Sequence, residues 1–414
     1  MPLIPCIFIC SRLFTKLSTY ATVRQINPLL GGNLMKVKQM NILCSLLTML
    51  SCLFSHAEQP TIPQKTDMII SSILGGAVGD ALGKPTEFIY STEKILQKYH
   101  PDGIRSFKDF KDKDFFIQDN KKIARYTDDT AMAKIVLKAL LKAKQHNWTK
   151  EKTMDTIAIN FVTKMKKPNG WAAGYRAPGS TCLKSCYRLE EKINKEKTDT
   201  PYWWRVNETG GGCGSVMRAH PFGLIFADNP QKAERWAVEH SKITHGAPLS
   251  LAACAAMAVG TALSLQGKEV DLIVEKMIEA AKRYDTDTAK RMADAYNTAL
   301  ENKKALLDKK KNSFAHKLSI SKPLFKKYLG WAAHDAIAAT VYTFALCPNN
   351  IKNAIALGVN TPGDSDSIAS MAGALVGTRK NILEDPQDKK LINKYLEGYE
   401  KLYKLGKKTA SFFY

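Results

Sequence analysis

Acidic residues are absent from the first 57 positions of this 414-residue chain. What fills the gap is a leader: Lys36 and Lys38 make a basic start, 41–54 is mostly apolar, and Ser55-His56-Ala57 has a small-x-small pattern. Together they describe a secretory signal beginning at Met35 and cut after Ala57, with the 34 residues upstream read as a mis-assigned start. An uncleaved anchor and a lipid on Cys52 stay open as alternatives, although the apolar stretch is short for a membrane span. The expectation is an exported protein, periplasmic or secreted, if this leader is used, and a cytoplasmic one otherwise, with no transmembrane span in the mature chain.

Cysteine is scarce in the body, where only Cys182, Cys186, Cys213, Cys254 and Cys347 of the nine remain. An odd, sparse set excludes a disulfide framework, though Cys182 and Cys186 could pair; their CxxxC spacing without nearby His or further Cys is no zinc site. Internal repeats and long low-complexity linkers are missing too, which points to one domain, 66–405, behind a leader, 1–57. Sustained strand alternation is missing apart from a piece near 117–124. The 45% hydrophobic content is ample for a large core, and the fold class is all-α, a single compact helical domain.

Apolar periodicity predicts helices over 66–82, with Thr66 as cap, and over 131–144, 152–165, 231–241, 248–264, 270–281, 287–302, 331–345, 350–357, 366–377 and 389–404. The stretch 168–214, with Gly210, Gly211, Gly212 and Gly214 near its end, reads as one long irregular loop. A loop of that length in a compact domain is usually functional. Its glycines free the backbone to meet ligand oxygens, and a merely flexible loop is the plainer reading.

The net charge is +22, of which the leader holds five cations, leaving +17 for the body. Such a body could steer a diphosphate or a polyanionic surface toward itself. Lysines spread along predicted helices (Lys134, Lys138, Lys142, Lys144) and the run from Lys303 to Lys311 read by default as solvated faces. No aromatic interleaving or nucleic-acid fold signature accompanies them, so nucleic acid is not expected as the main ligand.

Acid is concentrated in two short clusters. The stretch TPGDSDSIASMAG at 361–373 sets Asp364 and Asp366 two apart, beside Ser365 and Ser367, before a small-residue helical run. YTDDTAMA at 126–133 sets Thr127, Asp128, Asp129 and Thr130 before another helix. Residues two apart do not share a helix face, so the carboxylates can converge only in the turn leading in. Hard oxygens with no His or Cys nearby in sequence favour Mg²⁺, Mn²⁺ or Ca²⁺ over zinc. The plainer alternative is helix capping, where Asp and Ser are preferred. Two adjacent carboxylates repel, and two such clusters facing each other would supply oxygens for a pair of cations ~3.5 to 4 Å apart.

Five motifs in order, GGAVGDALGKPTEF (75–88), YTDDTAMA (126–133), GCGSVMRAHPFGL (212–224), THGAP (244–248) and GDSDS (363–367), resemble those of the ADP-ribosylglycohydrolases, over about 68–379. The resemblance implies a compact helical fold and a divalent-metal-dependent hydrolase that removes ADP-ribose from a protein side chain or cleaves a related ADP-ribosyl bond. It implies two cations, Mg²⁺ or Mn²⁺, on Thr127, Asp128, Asp129, Asp364, Asp366 and Ser367. It implies Glu87 as the first choice of acid/base, with Asp128 and Asp129 competing, and a substrate loop of Gly210, Gly211, Gly212, Cys213, Gly214 and Ser215 with His245. Many relatives carry Asn where this chain has Cys213, which leaves that position a backbone role. Asp80 reads as a residue orienting its neighbours, Trp203 and Trp204 as either an adenine platform or packing, and Met217 and Arg218 as the loop's anchor. The expected partner is an ADP-ribosylated protein or another ADP-ribosyl substrate, acted on by a monomer. The alternative is a relative that binds ADP-ribose without cleaving it, or has become structural.

Overall fold

A computed structural model describes residues 62–99, 101–307 and 312–413 of the chain. The expected leader 1–57 with its signal from Met35, and the end of the lysine run at Lys311, lie outside the described residues.

The described chain is helical almost throughout. In order the helices are α1 (Ile62–Gly83), α2 (Thr92–Lys98), α3 (Asp128–Gln145), α4 (Lys150–Met165), α5 (Ser180–Asn194), α6 (His220–Ile225), α7 (Pro230–Ser241) and α8 (Pro248–Leu265). They continue with α9 (Val270–Lys282), α10 (Thr286–Ala305), α11 (Phe314–Lys327), α12 (Ala333–Leu346), α13 (Ile351–Val359), α14 (Ser365–Gly377), α15 (Pro386–Tyr395) and α16 (Tyr399–Ala410). The suspected strand is a hairpin, β1 (Phe116–Gln118) on β2 (Lys121–Ile123), antiparallel with Ile117 opposite Lys122. Asp119 (φ 49°) and Asn120 (φ 61°) form its two-residue turn, and both types tolerate the left-handed backbone that such turns need. All of this belongs to one unit, Pro60–Tyr414.

Two buried helices form the spine. α14 is buried along its whole length, and α1 is buried from Ile69 to its end. Their contact is backbone against backbone, because α1 turns glycines toward α14. A Cβ at Gly79 would lie 2.2 Å from the Ala369 carbonyl oxygen, and one at Gly83 2.4 Å from Asp366 Cα. Around this pair, α13, α16 and α12 cover the remaining faces, and α8 packs on α6, α7 and α9. α8 is long and apolar enough to cross a membrane by length and composition, but it is an interior helix with 78% of that window buried. Ile368, Met371, Leu375 and Val376 of α14 are each at 0% exposure, worth at most about 1.5–3 kcal/mol apiece in apolar burial.

Four expectations are corrected. α1 begins at Ile62, so Thr66 is inside the helix and does not cap it. The stretch 168–214 is not one loop: α5 occupies its middle, burying Cys182, Ser185, Cys186 and Leu189 at helical spacing. The helix expected over 331–345 starts at Ala333, because Ala332 is bridged to Gly212 instead. The helix expected over 389–404 is two helices. Between them Gly398 takes φ 65° and Glu397 turns inward, where its carboxylate meets the buried Arg176 in a bidentate pair at 2.8 and 2.8 Å.

Candidate active site

The C-terminal half of α1 holds both acidic clusters. Asp80 is fully buried, and its carboxylate accepts the Thr127 N–H at 2.6 Å, the Thr130 N–H at 2.8 Å and the Thr130 hydroxyl at 2.6 Å. This fixes the entrance of α3. On its α14 side, Gly83 lies against the Asp366 backbone, and the Ser365 hydroxyl donates to the Gly83 carbonyl at 3.0 Å. Thr86 ties the same corner, donating to the carbonyls of Gly83 (2.7 Å) and Val359 (2.6 Å). Two stretches more than two hundred residues apart are therefore clamped by one helix. Across the gap Asp366 is the leading charged neighbour of both Asp128 and Asp129, while the Thr127 hydroxyl donates to Asp129 at 3.1 Å.

Capping does not account for all of these acids. The cap of α3 is Thr127, whose hydroxyl accepts the Asp129 N–H at 3.4 Å. Asp364 stands at the cap position of α14 but makes no side-chain cap bond; its Oδ2 accepts from the Cys213 thiol at 2.7 Å. Backbone N–H groups of their own entrances favour the charged forms of Asp128 and Asp366. Oδ1 of Asp129 and Oδ1 of Asp366 are buried with no partner, a costly arrangement for a carboxylate.

The electrostatics follow from crowding. Burial first, and Asp366 second, hold Asp128, Asp129 and Asp364 well above the usual carboxylate range. The same two causes push Asp80 up to about 6. Glu87, half-buried on the loop after α1, is pushed up to about 11 by burial and then by Asp366, Asp364, Asp128 and Asp80. Arg218 pulls Asp128 the other way, but its guanidinium is committed to His240 Nε2 at 3.0 Å and Thr244 Oγ1 at 2.6 Å. No three His, Cys, Asp or Glu side chains among the described residues stand in a ready ligating array. The donor set still suits a hard cation. Oxygens of Thr127, Asp128, Asp129, Asp364, Asp366 and Ser367 border one cluster, and two of its carboxylate oxygens are orphaned.

The glycine loop closes one side. Cys213 N–H donates to the Trp331 carbonyl (3.1 Å), and Ala333 N–H donates to that of Gly211 (3.0 Å). The carbonyl of Gly210 takes Ala247 N–H (3.2 Å), and the Ser250 hydroxyl reaches Gly210 (3.1 Å) and Gly212 (3.2 Å). The backbone N–H of Cys213 is thus spent inside the protein, and its thiol faces the acids. A Cβ on Gly214 would sit 2.7 Å from Cys182 Sγ. Ser215 is buried, with its hydroxyl 2.8 Å from that of Ser241. His245 packs beneath Gly212 and Gly214, its Nδ1 2.7 Å from the Thr244 hydroxyl. Burial, then Arg218, pushes its pKa down to about 3, so it is neutral at physiological pH.

Sequence reasoning missed an aromatic shelf. Phe88, 55% exposed and at φ 64°, stacks on Trp331 with centroids 5.2 Å apart and rings 18° from parallel; Tyr90 lies 6.3 Å from the same ring. The Phe88 N–H donates to the Gly363 carbonyl at 3.2 Å, and Gly330, next to Trp331, abuts Asp364. The shelf therefore borders the acidic cluster and Glu87. Trp203 and Trp204, the earlier candidates for stacking, are 4% and 0% exposed and belong to the core. The GW pair before a helix was the available clue.

A family model described as ADP-ribosylglycohydrolase matches residues 61–409. Among similar curated proteins, an uncharacterized protein of Archaeoglobus fulgidus is 24% identical, covering 80% of this chain and 95% of its own. The ADP-ribosyl-[dinitrogen reductase] glycohydrolase of Rhodospirillum rubrum is 25% identical over 79% of this chain and 90% of its own. ADP-ribosylhydrolase ARH3 of Bos taurus is 23% identical over 66% and 75%. A solved structure described as an ADP-ribosylglycohydrolase-related protein complex shares the fold, with a TM-score of 0.53 at 20% identity, covering 84% of this chain and 99% of its own.

Proposed function

The chain belongs to the ADP-ribosylglycohydrolase family, and from that premise we propose that it is a divalent-metal-dependent hydrolase releasing ADP-ribose from ADP-ribosylated protein side chains or a related ADP-ribosyl linkage. The observation that supports it most is the meeting of two acidic helix entrances on one cluster with Glu87 at its rim.

Cleaving a ribosyl bond develops positive charge on the sugar and needs a proton for the leaving group and a deprotonated water. Glu87 is the residue for both transfers. As the acid it donates to the departing oxygen or nitrogen, and as the resulting carboxylate it accepts a proton from water. Asp128 and Asp129 are the competing bases, but each sits deeper among like charges. Thr127, Asp128, Asp129, Asp364, Asp366 and Ser367 would hold two Mg²⁺ or Mn²⁺ ions, which supply Lewis acidity and a fixed grip on ribose hydroxyls. The shelf of Trp331 and Phe88 offers a flat apolar face for adenine, and the loop Gly210–Ser215 borders the diphosphate, with His245 supporting it from below. The protein acts as a monomer, exported when the leader from Met35 is used.

The test incubates the chain from Glu58 with arginine-linked and serine-linked ADP-ribosyl peptides, with Mg²⁺, Mn²⁺ or chelator. Metal-dependent release from either peptide is expected. Tight ADP-ribose binding with no release from either would make the protein a non-catalytic binder.

A further inference from the structure

Below its acidic entrance, α3 changes character. Lys134, Lys138 and Lys142 follow at four-residue spacing along ~12 Å of the helix, and they line a cleft of about 370 Å³ together with Lys164, Lys167 and Arg176. Like charges at this spacing cost a helix a few tenths of a kcal/mol per pair. No acidic residue lines the cleft, and of its lysines only Lys134 has a partner among the described residues, donating to the Tyr126 hydroxyl at 2.5 Å. Some lysines elsewhere are paired, such as Lys166 with Glu190 at 2.8 Å and Lys276 with Glu279 at 2.8 Å. The five lysines of the cleft form no ion pair among the described residues. A second cleft of about 410 Å³ shares Lys134 and Arg176 and adds Lys121, Arg125 and Lys401. Of its two acids, Glu397 is already committed to Arg176, and Asp119 is exposed in the hairpin turn.

We propose that the α3–α4 cleft is an anion-binding site for a short polyphosphate, a di- or triphosphate group, separate from the acidic cluster. Lysine is a point-charge donor that suits phosphate oxygens from several directions. Lys138 and Lys142, one helical turn apart and joined in the lining by Lys164 and Lys167, match a short linear chain of phosphates. Nucleic acid is the poorer fit. The cleft is short, and its aromatic residues, Tyr126 and Trp171, are 3% and 1% exposed, which leaves no platform on which bases could stack.

The experiment titrates the full chain with inorganic tripolyphosphate by calorimetry in chelator, where the acidic cluster repels the probe. One site with micromolar Kd is expected. Binding should weaken at least tenfold in the double variant Lys138→Glu, Lys142→Glu, and also between 50 and 200 mM NaCl. Both positions are exposed, and unchanged thermal unfolding will confirm the fold. Lys166→Glu and Lys276→Glu, which alter lysines outside the cleft, should bind as the wild type does. Absence of tripolyphosphate binding, binding untouched by the double variant, or binding of a thymidine 20-mer but not tripolyphosphate would each overturn the proposal, the last in favour of nucleic acid.

Discussion

Asp366→Asn separates a charge-sharing site from a capped helix. Asp366 is the leading charged neighbour of Asp80, Glu87, Asp128, Asp129 and Asp364. A carboxyl whose folded pKa lies above its unfolded value costs nothing when both states are protonated. The cost begins as pH rises past ~4 and grows until pH passes the folded value. In chelator the wild type should therefore lose stability from pH 4 to 8, and the variant should lose less. One pKa unit is about 1.4 kcal/mol; after allowing for the backbone bonds that Asp366 accepts, the gain at pH 7.5 is about 1–2 kcal/mol. For a unit of the size of Pro60–Tyr414, an unfolding entropy of about 2.1 cal/mol/K per residue turns this into a Tm rise of about 1.5–3 °C. Cation binding should reverse the order, because only the wild type gains the roughly 2.7 kcal/mol expected at a hundredfold excess over Kd. Scanning calorimetry at pH 5, 6.5 and 8, with chelator and with Mg²⁺ or Mn²⁺, reads all of this. A variant less stable than wild type at every pH in chelator would refute the reasoning and make Asp366 a cap.

Glu87→Gln should slow ADP-ribose release by about a hundredfold or more, the scale of general acid–base catalysis, with ADP-ribose affinity within about threefold by calorimetry; a retained rate would move the acid/base role to Asp128 or Asp129. Gly79→Ala drives a methyl into the Ala369 carbonyl at 2.2 Å, so thermal unfolding should show a loss of about 1–3 kcal/mol together with weaker cation binding. An unchanged Tm and affinity would mean that the α1–α14 contact is not what seats the acids. Because burial and Arg218 hold His245 neutral, its imidazole NMR signals should not titrate between pH 5 and 8, and a transition there would contradict the buried placement.

Much of the helical frame could be read from local chemistry. The starts of α8 and α9 agree with the periodicity to the residue, and α14 to within one; Pro248 at the first turn and small-residue runs mark them. α5 escaped because glycines crowd both sides of it, although Cys182, Ser185, Cys186 and Leu189 carry the helical spacing. α11 escaped behind its lysines and an internal Pro323. The break before α16 was beyond local reading, since what selects it is Arg176, 221 residues away from Glu397. The site divides the same way. Motifs nominated both acidic clusters and Glu87, and local spacing limited where the carboxylates could converge. The three bonds at Asp80, the thiol of Cys213 on Asp364 and the stacking of Phe88 on Trp331 join residues distant in the chain, which periodicity does not report.

The most direct measurement is a count of Mn²⁺ ions bound per chain, by electron paramagnetic resonance and calorimetry, for the wild type, Asp128→Asn and Asp364→Asn. If the two helix entrances share their cations, the wild type binds two, and either substitution weakens the same ions at least tenfold and abolishes ADP-ribose release. Wild-type protein that binds no Mn²⁺, or substitutions at the two entrances that leave binding intact, would contradict it.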